Sequence, residues 1–218
     1  MLKRTAIILL IAGCGVLVAT GFGQWPLAAI VAKLTASTGF FLLALVSGAC
    51  RSAYGNRVLA GLLASWIGDA CLLGTTDSAF IAGLGAFLIA HLFYCAAFVR
   101  HGVHRPAGSL ALLMLLPVTA IVIGALWPDI PGPMRLPVAF YGGVISLMVA
   151  LAVGARFAGG TWLIPVGAVL FFISDLSVAI AQFQRPDFPP GTWGLPLYFT
   201  GQALLAASTR EQVHAAST

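Results

Sequence analysis

Charged residues are scarce in this chain of 218 residues: Asp, Glu, Lys and Arg together make up 8% of it, against about 25% in an average soluble domain. Hydrophobic residues account for 60%, which is more than a water-soluble core of this size can bury. This composition excludes an ordinary soluble protein and predicts an all-α polytopic membrane protein. At this length we expect a single transmembrane domain over residues 1–218.

Cysteine is also scarce, and the 4 cysteines show no CxxC or other metal-ligand spacing. Each lies in an apolar stretch, where a cysteine usually packs as a small hydrophobe, so we expect no disulfide, metal site or cofactor. The net charge of +5 comes from basic residues scattered singly at the ends of apolar segments. That distribution is typical of a membrane protein and does not indicate nucleic acid binding. No feature of the sequence indicates a protein partner.

Long apolar runs, in contrast, are abundant. A helix needs about 20 apolar residues to cross the hydrocarbon core of a bilayer, and eight segments approach this length between turns rich in Gly, Pro and polar residues. The segments cover roughly residues 5–22, 26–47, 57–74, 78–99, 109–127, 136–157, 161–183 and 194–209. The sequence therefore predicts a bundle of eight transmembrane helices.

The distribution of Lys and Arg predicts the orientation of this bundle. If the N-terminus is cytoplasmic, the cytoplasmic segments hold eight basic residues: Lys3, Arg4, Arg51, Arg57, Arg100, Arg105, Arg156 and Arg210. The outer loops hold only Arg135 and Arg185. Because cytoplasmic loops carry the excess of positive charge, we expect both termini on the cytoplasmic side. We expect the membrane to be a bacterial inner (cell) membrane, from the compact size of the chain.

The first apolar run resembles a signal peptide. Lys3 and Arg4 precede it, and residues 11–14 resemble a lipoprotein cleavage box. The apolar core of a signal peptide is about 7–15 residues long, whereas this run continues to Phe22. We therefore expect it to be retained as the first helix.

Acidic residues number only 6, and two of them, Asp69 and Asp175, lie inside apolar runs. A carboxylate at that depth costs roughly 2.5–3.5 kcal/mol on insertion scales and needs a partner, a proton or a water-lined cavity. With a helical rise of about 1.5 Å per residue, the topology places both at the depth of Lys33, Tyr141 and Tyr198, in the outer half of the membrane. The sequence thus predicts one buried polar site that contains both acids.

Further polar side chains fall on the same helix faces at spacings of three, four or seven residues. We expect a substrate to contact Lys33, Ser65, His91, Tyr94, Tyr141, Ser174, Tyr198 and Gln202. The structural alternative is that these residues only join helices and that Lys33 pairs with one acid. That alternative leaves the second aspartate uncompensated.

Two other functions are compatible with these residues. Buried acids also form proton relays in transporters, and a parallel duplication of four helices is possible because Gly61 and Gly167 each precede an aspartate by eight residues. Metal-assisted lipid hydrolysis by His91 and the two aspartates is the other alternative. Catalytic zinc sites usually have three protein ligands, and the membrane segments supply one histidine.

Several motifs resemble those of the YhhN family of membrane proteins, which includes the lysoplasmalogenases. They are Lys33, Ser65-x-x-Gly68-Asp69, Gly85-x-Phe87-x-x-x-His91-x-x-Tyr94, Tyr141 with Met148, Gly167-Ala168-x-x-Phe171-x-x-Ser174-Asp175, and Tyr198-x-x-x-Gln202. The chain departs from the family pattern at Leu34, where the family often has Pro, and at Gly201, where it often has Ala.

This resemblance implies an integral membrane hydrolase of eight helices. It implies a lysophospholipid substrate, a lysoplasmalogen, whose vinyl ether is cleaved to a fatty aldehyde and glycerophosphoethanolamine or glycerophosphocholine. It also implies that Asp69 and Asp175 are the catalytic residues. A vinyl ether is cleaved by protonation of carbon followed by addition of water, so one carboxyl group must donate a proton while the other stays ionised. We expect Asp175 to be the acid.

Overall fold

The computed structural model describes residues 2–24, 26–184 and 193–215, and within these ranges it contains eight α-helices and no strand. The helices are α1 (Leu2–Gln24), α2 (Pro26–Val46), α3 (Ala53–Cys71), α4 (Asp77–His101), α5 (Arg105–Leu126), α6 (Gly132–Phe157), α7 (Leu163–Phe183) and α8 (Gly194–Ala215). The predicted bundle of eight helices is confirmed. Arg185 and most of the turn predicted near it lie outside the described residues.

Three helices, α3, α5 and α6, begin about four residues earlier than the sequence predicted. α3 begins at Ala53 because the Ser52 side chain accepts a hydrogen bond from the backbone N–H of Gly55 and so caps the helix. Pro106 and Pro133 lie within the first turns of α5 and α6. A proline is tolerated there because the first N–H groups of a helix have no partner within the helix.

Six of the helices are long and apolar enough to cross a membrane, counted over the described residues: α1, α2, α4, α5, α6 and α7. The other two, α3 and α8, carry Asp69 and Gln202 respectively, with polar residues around them. The predicted class of integral membrane protein agrees with this result. The predicted cytoplasmic placement of both termini stays a prediction.

Consecutive helices pack in pairs, α1 with α2, α3 with α4, α5 with α6 and α7 with α8. Contacts between the pairs close a ring in the order α2, α3, α4, α6, α7, α8. α1 lies outside this ring against α2 and α8, and α5 lies outside it against α6. The ring therefore surrounds the protein interior, and α5 is a peripheral helix held mainly by one neighbour.

The contacts also repeat between the two halves of the chain. α2 packs on α3 as α6 packs on α7, and α4 reaches α6 as α8 reaches α2. A parallel arrangement of four helices plus four, which the two glycines suggested, agrees with this pattern. Asp69 on α3 and Asp175 on α7 accordingly occupy corresponding helices of the two halves.

Two glycines allow α7 and α8 to approach closely. A Cβ added at Gly201 would lie 2.8 Å from the carbonyl oxygen of Gly167, and a Cβ at Gly167 would lie 2.9 Å from the carbonyl oxygen of Gly201. Gly201, where the family often has Ala, thus lies at a close contact between the backbones of α7 and α8. This packing brings Tyr198 of α8 beside the residues of α3 and α7 that face the interior.

Candidate active site

A cavity of about 150 Å³ lies at the end of the bundle where α3, α5 and α7 end and α4, α6 and α8 begin. Most of its lining is apolar. Its polar lining residues are Lys33, Asp69, Thr119, Tyr141, Ser174, Asp175, Ser177 and Tyr198. The structure thus brings the two aspartates, Lys33 and both tyrosines to one cavity at one level of the bundle.

Asp69 is held by three donors from two other helices. The Nζ atom of Lys33 on α2 lies 3.3 Å from its Oδ1 atom, and both side chains are almost completely buried. The hydroxyl groups of Ser37 and Tyr198 donate hydrogen bonds to its Oδ2 atom at 2.7 and 2.6 Å. A buried carboxylate that receives a cation and two hydroxyl donors is stabilised in its ionised form.

Asp175 has a different environment. Its Oδ2 atom accepts a hydrogen bond of 2.5 Å from the hydroxyl group of Tyr141 on α6. Its side chain is 18% exposed, against 2% for Asp69. Among the described residues no Lys or Arg forms an ion pair with it; the nearest basic group is His91, whose Nε2 atom lies 3.9 Å from Oδ2. This environment stabilises an ionised carboxylate less than that of Asp69 does.

His91 is completely buried beside Asp175. Its ring packs on Phe171 and Tyr141, with centroid separations of 4.7 and 5.1 Å. Neither ring nitrogen has a hydrogen-bond partner among the described residues. The distance from Nε2 to Asp175 is too long for a direct hydrogen bond, but one water molecule can bridge two groups at such a separation.

Three predicted substrate contacts form a separate polar cluster. The hydroxyl group of Tyr94 donates to the Oε1 atom of Gln202 at 2.7 Å, and the Nε2 atom of Gln202 donates to the hydroxyl group of Ser65 at 3.0 Å. All three are buried, and neither they nor His91 line the cavity. They satisfy one another and join α3, α4 and α8. Their predicted contact with substrate stays a prediction.

Sequence reasoning missed Ser37, although it donates directly to Asp69. The available signal was its position four residues after Lys33, on the same face of α2. The hydroxyl group of Ser37 also donates to the backbone oxygen of Lys33 at 2.9 Å. A serine in an apolar helix often bonds only in this way, so its second partner was not predictable from spacing alone. Ser174, which was predicted, lines the cavity and donates to the backbone oxygen of Phe171.

The arrangement offers few ligands for a metal ion. Over residues 2–24, 26–184 and 193–215, no group of three or more His, Cys, Asp or Glu side chains is placed to hold one. The chemistry that the described side chains can perform is proton transfer and charge stabilisation by two carboxyl groups in an apolar cavity.

Comparison with known proteins gives consistent matches. The sequence profile of the YhhN family matches residues 28–209. The lysoplasmalogenase TMEM86A of Bos taurus is 30% identical over 162 residues, which cover 72% of this chain and 66% of the relative. The lysoplasmalogenase TMEM86B of Homo sapiens is 33% identical over 158 residues, which cover 71% and 64%. A lysoplasmalogenase of Mycobacterium tuberculosis is 31% identical over 132 residues, which cover 54% and 50%.

The matched region spans slightly less than two thirds of the length of the two mammalian relatives. No solved structure matches the chain.

Proposed function

This chain belongs to the YhhN family, and from that premise we propose that it is a membrane hydrolase that cleaves the vinyl ether bond of a lysoplasmalogen or a related lysolipid. The products are a fatty aldehyde and a glycerophospho-alcohol such as glycerophosphoethanolamine. The observation that carries the proposal is the apolar cavity into which Asp69 and Asp175 project from different helices. The lysoplasmalogenases among the relatives support the same reaction.

Cleavage begins with protonation of carbon. Asp175 gives its proton to the alkene carbon remote from the ether oxygen, and the oxygen lone pair forms an oxocarbenium ion. Asp175 is suited to this step because its partner is the Tyr141 hydroxyl group rather than a Lys or Arg among the described residues, and because its side chain has partial access to the cavity. An acid kept protonated in an apolar site is the arrangement that general acid catalysis at neutral pH requires.

Asp69 stays ionised and stabilises the cation. Its ion pair with Lys33 and its hydrogen bonds from Ser37 and Tyr198 fix the carboxylate before the reaction begins. Charge that is already oriented in a low-dielectric site stabilises a developing opposite charge without reorganisation. The different partners of the two aspartates therefore give them different roles, Asp69 as the stabilising charge and Asp175 as the acid.

Water completes the reaction. A water molecule between the Nε2 atom of His91 and Asp175 attacks the carbon bonded to the ether oxygen and gives its proton to the Asp175 carboxylate. The hemiacetal then loses its hydroxyl proton, its bond to the glycerol oxygen breaks, and that oxygen is protonated. One water is consumed and Asp175 returns to its starting state. His91 is a positioning residue in this scheme because it acts through the water.

The test is incubation of the purified protein in detergent with a panel of lysolipids, followed by mass spectrometry of the products. We expect aldehyde and glycerophospho-alcohol from alkenyl lysolipids, and no product from saturated alkyl ethers, which do not have the carbon that accepts the proton. In oxygen-18 water the label should enter the aldehyde. Absence of product from every alkenyl lipid would contradict the proposal.

The transporter alternative is favoured by one observation, the repeat of helix contacts between the two halves. Proteoliposome experiments separate it from hydrolysis. Uptake of a lysolipid or small molecule in response to a pH gradient, with no aldehyde formed, would favour the transporter.

We also propose a bacterial cell membrane as the location, with both termini cytoplasmic and the cavity near the outer leaflet. The support is the excess of Lys and Arg at the end of the bundle opposite the cavity, which the positive-inside rule places in the cytoplasm. A fluorescent-protein fusion at the C-terminus should fluoresce, because that reporter folds only on the cytoplasmic side. Activity of a periplasmic reporter fused at the same position would show the opposite orientation.

A further inference from the structure

The apolar lining of the cavity includes one face of α5 and one face of α7, and we call the part of the cavity between these two faces the arm. On α5 the lining residues are Thr119, Val122, Ile123 and Leu126, and on α7 they include Phe172, Leu176, Ala179 and Phe183. Each set lies on one helix face, since its members are three, four, seven or eleven residues apart. Gly142 and Ile145 of α6 line the same cavity between the two faces. The arm begins beside Asp175, which lies on α7 between Phe172 and Leu176.

Aromatic side chains fill the interior along the axis of the helix ring. Phe171 packs against His91, Phe87 and Tyr94, with ring centroids 4.7 to 6.4 Å apart, and all four rings are buried. Tyr94 also belongs to the buried cluster with Ser65 and Gln202 described above. A long chain whose head lies at the two aspartates therefore cannot continue along the axis.

The seam between α5 and α7 is open in comparison. α5 packs on α6 and makes no extended contact with α7 among the described helices. Among the described residues, the Nε2 atom of Gln184 donates a hydrogen bond to the backbone oxygen of Ala125 at 3.1 Å and so joins the ends of the two helices. Val122, Ile123, Phe172 and Leu176 are half-buried at this seam, and the α5 residues on the other side, such as Ile121 at 73% exposure, face the bilayer.

We propose that this arm holds the hydrocarbon chain of the lysolipid, which enters sideways from the bilayer between α5 and α7. The proposal rests on the proposed function. The vinyl ether is the first bond of the chain, so when it lies at Asp175 the remaining carbons need apolar lining nearby. Phe172 and Thr119 supply it on the deeper side, and the other lining residues of α5 and α7 supply it toward the end of the bundle.

The first test fills the arm. Ile123→Trp should lower kcat/KM for an alkenyl lysolipid with a hexadecyl-length chain about tenfold or more, because losing the burial of about two methylene groups corresponds to roughly that change in binding. Activity on an analogue with a butyl-length chain should fall much less, because that chain needs little of the lining that Ile123 contributes. The matched control is Ile121→Trp, the same substitution on the exposed face of α5. It should leave activity on both substrates unchanged.

The short substrate also reports folding, since a misfolded Ile123→Trp loses both activities. A loss on both substrates is resolved by the second test, which uses the unaltered protein. Equal activity of Ile123→Trp and Ile121→Trp on the long substrate would overturn the proposal.

The second test does not depend on catalysis. A saturated ether lysolipid with a diazirine in the middle of its chain is bound to the protein and photolysed, and the labelled peptides are identified by mass spectrometry. Label on residues 119–126 and 172–183 that excess unlabelled lipid removes supports the arm, even if no lysolipid is hydrolysed. Label that spreads over all lipid-facing helices and is not removed overturns the arm, whether or not aldehyde is released.

Discussion

Asp175→Asn should reduce aldehyde release by about 10²–10⁴-fold, the contribution that general acid catalysis typically makes. Asparagine has nearly the same shape and can still accept the hydrogen bond from Tyr141. Its amide cannot give a proton to carbon, so the loss should fall on kcat while the affinity for a saturated ether lysolipid changes little. The measurements are single-turnover aldehyde release in detergent and binding of the ether lipid.

Asp77→Asn is the matched control for this substitution. Asp77 lies at the exposed first turn of α4 and does not line the cavity. Because a surface substitution away from the core and the active site has little effect, turnover should stay within a factor of about two. Near-normal turnover in Asp175→Asn would remove the acid from the mechanism. If the fraction of unfolded protein accounts for the whole loss of activity, the role of Asp175 is structural and the assignment is wrong.

His91→Phe should cause a smaller loss than Asp175→Asn. Phenylalanine keeps the ring packing against Phe171 but has no Nε2 atom to hold a water beside Asp175. The reaction then depends on water that is not positioned, while protonation of carbon is retained. Incorporation of oxygen-18 should persist at the lower rate, whereas a purely structural role would lower stability and leave the rate of folded protein unchanged.

The level of the site was predictable because it depends on a constant of helix geometry. Given the order of the segments and the rise per residue, Asp69, Asp175 and Lys33 had to lie near one depth, and the structure places all three on one cavity. Depth does not determine which side chains meet. Tyr94 and Gln202 face the interior as predicted, but they bond to each other and to Ser65, away from the cavity lining.

The contribution of α5 could not be predicted from sequence. Between Leu110 and Leu126 its one polar side chain is Thr119, so the sequence shows no polar face that would indicate a cavity. The arm exists because α5 lies outside the ring and packs on α6, which is a property of tertiary packing. Ser37 shows the same limit in a polar residue, since its spacing from Lys33 indicates a shared face but not the carboxylate that both contact.

The repeat of helix contacts explains how one site obtains two different acids. Asp69 on α3 contacts Lys33 and Ser37 of the preceding helix in the ring, α2. Asp175 on α7 contacts Tyr141 of the preceding helix in the ring, α6. Corresponding helices thus supply a cation in one half and a phenol in the other. In the proposed mechanism these unequal partners make Asp69 the ionised carboxylate and Asp175 the proton donor.

The ion pair between Lys33 and Asp69 gives the second large prediction. Lys33→Met should lower the free energy of unfolding by about 3–5 kcal/mol, because removing one partner leaves an uncompensated charge in a buried site. Asp69→Asn should cost a comparable amount by leaving Lys33 unpaired. Lys3→Met, at the exposed start of α1, is the matched control and should leave stability unchanged.

The double variant Lys33→Met with Asp69→Asn separates stability from chemistry. Without either charge, Ser37 and Tyr198 can still bond to the asparagine, so stability should return to within about 1 kcal/mol of the unaltered protein, as buried pairs replaced together often show. Aldehyde release should not return, because the charge that stabilises the oxocarbenium ion is gone. Denaturant unfolding in detergent and single-turnover assays on the same preparations measure both quantities. If activity recovers together with stability, Asp69 only balances the charge of Lys33, and cation stabilisation must come from another group in the cavity.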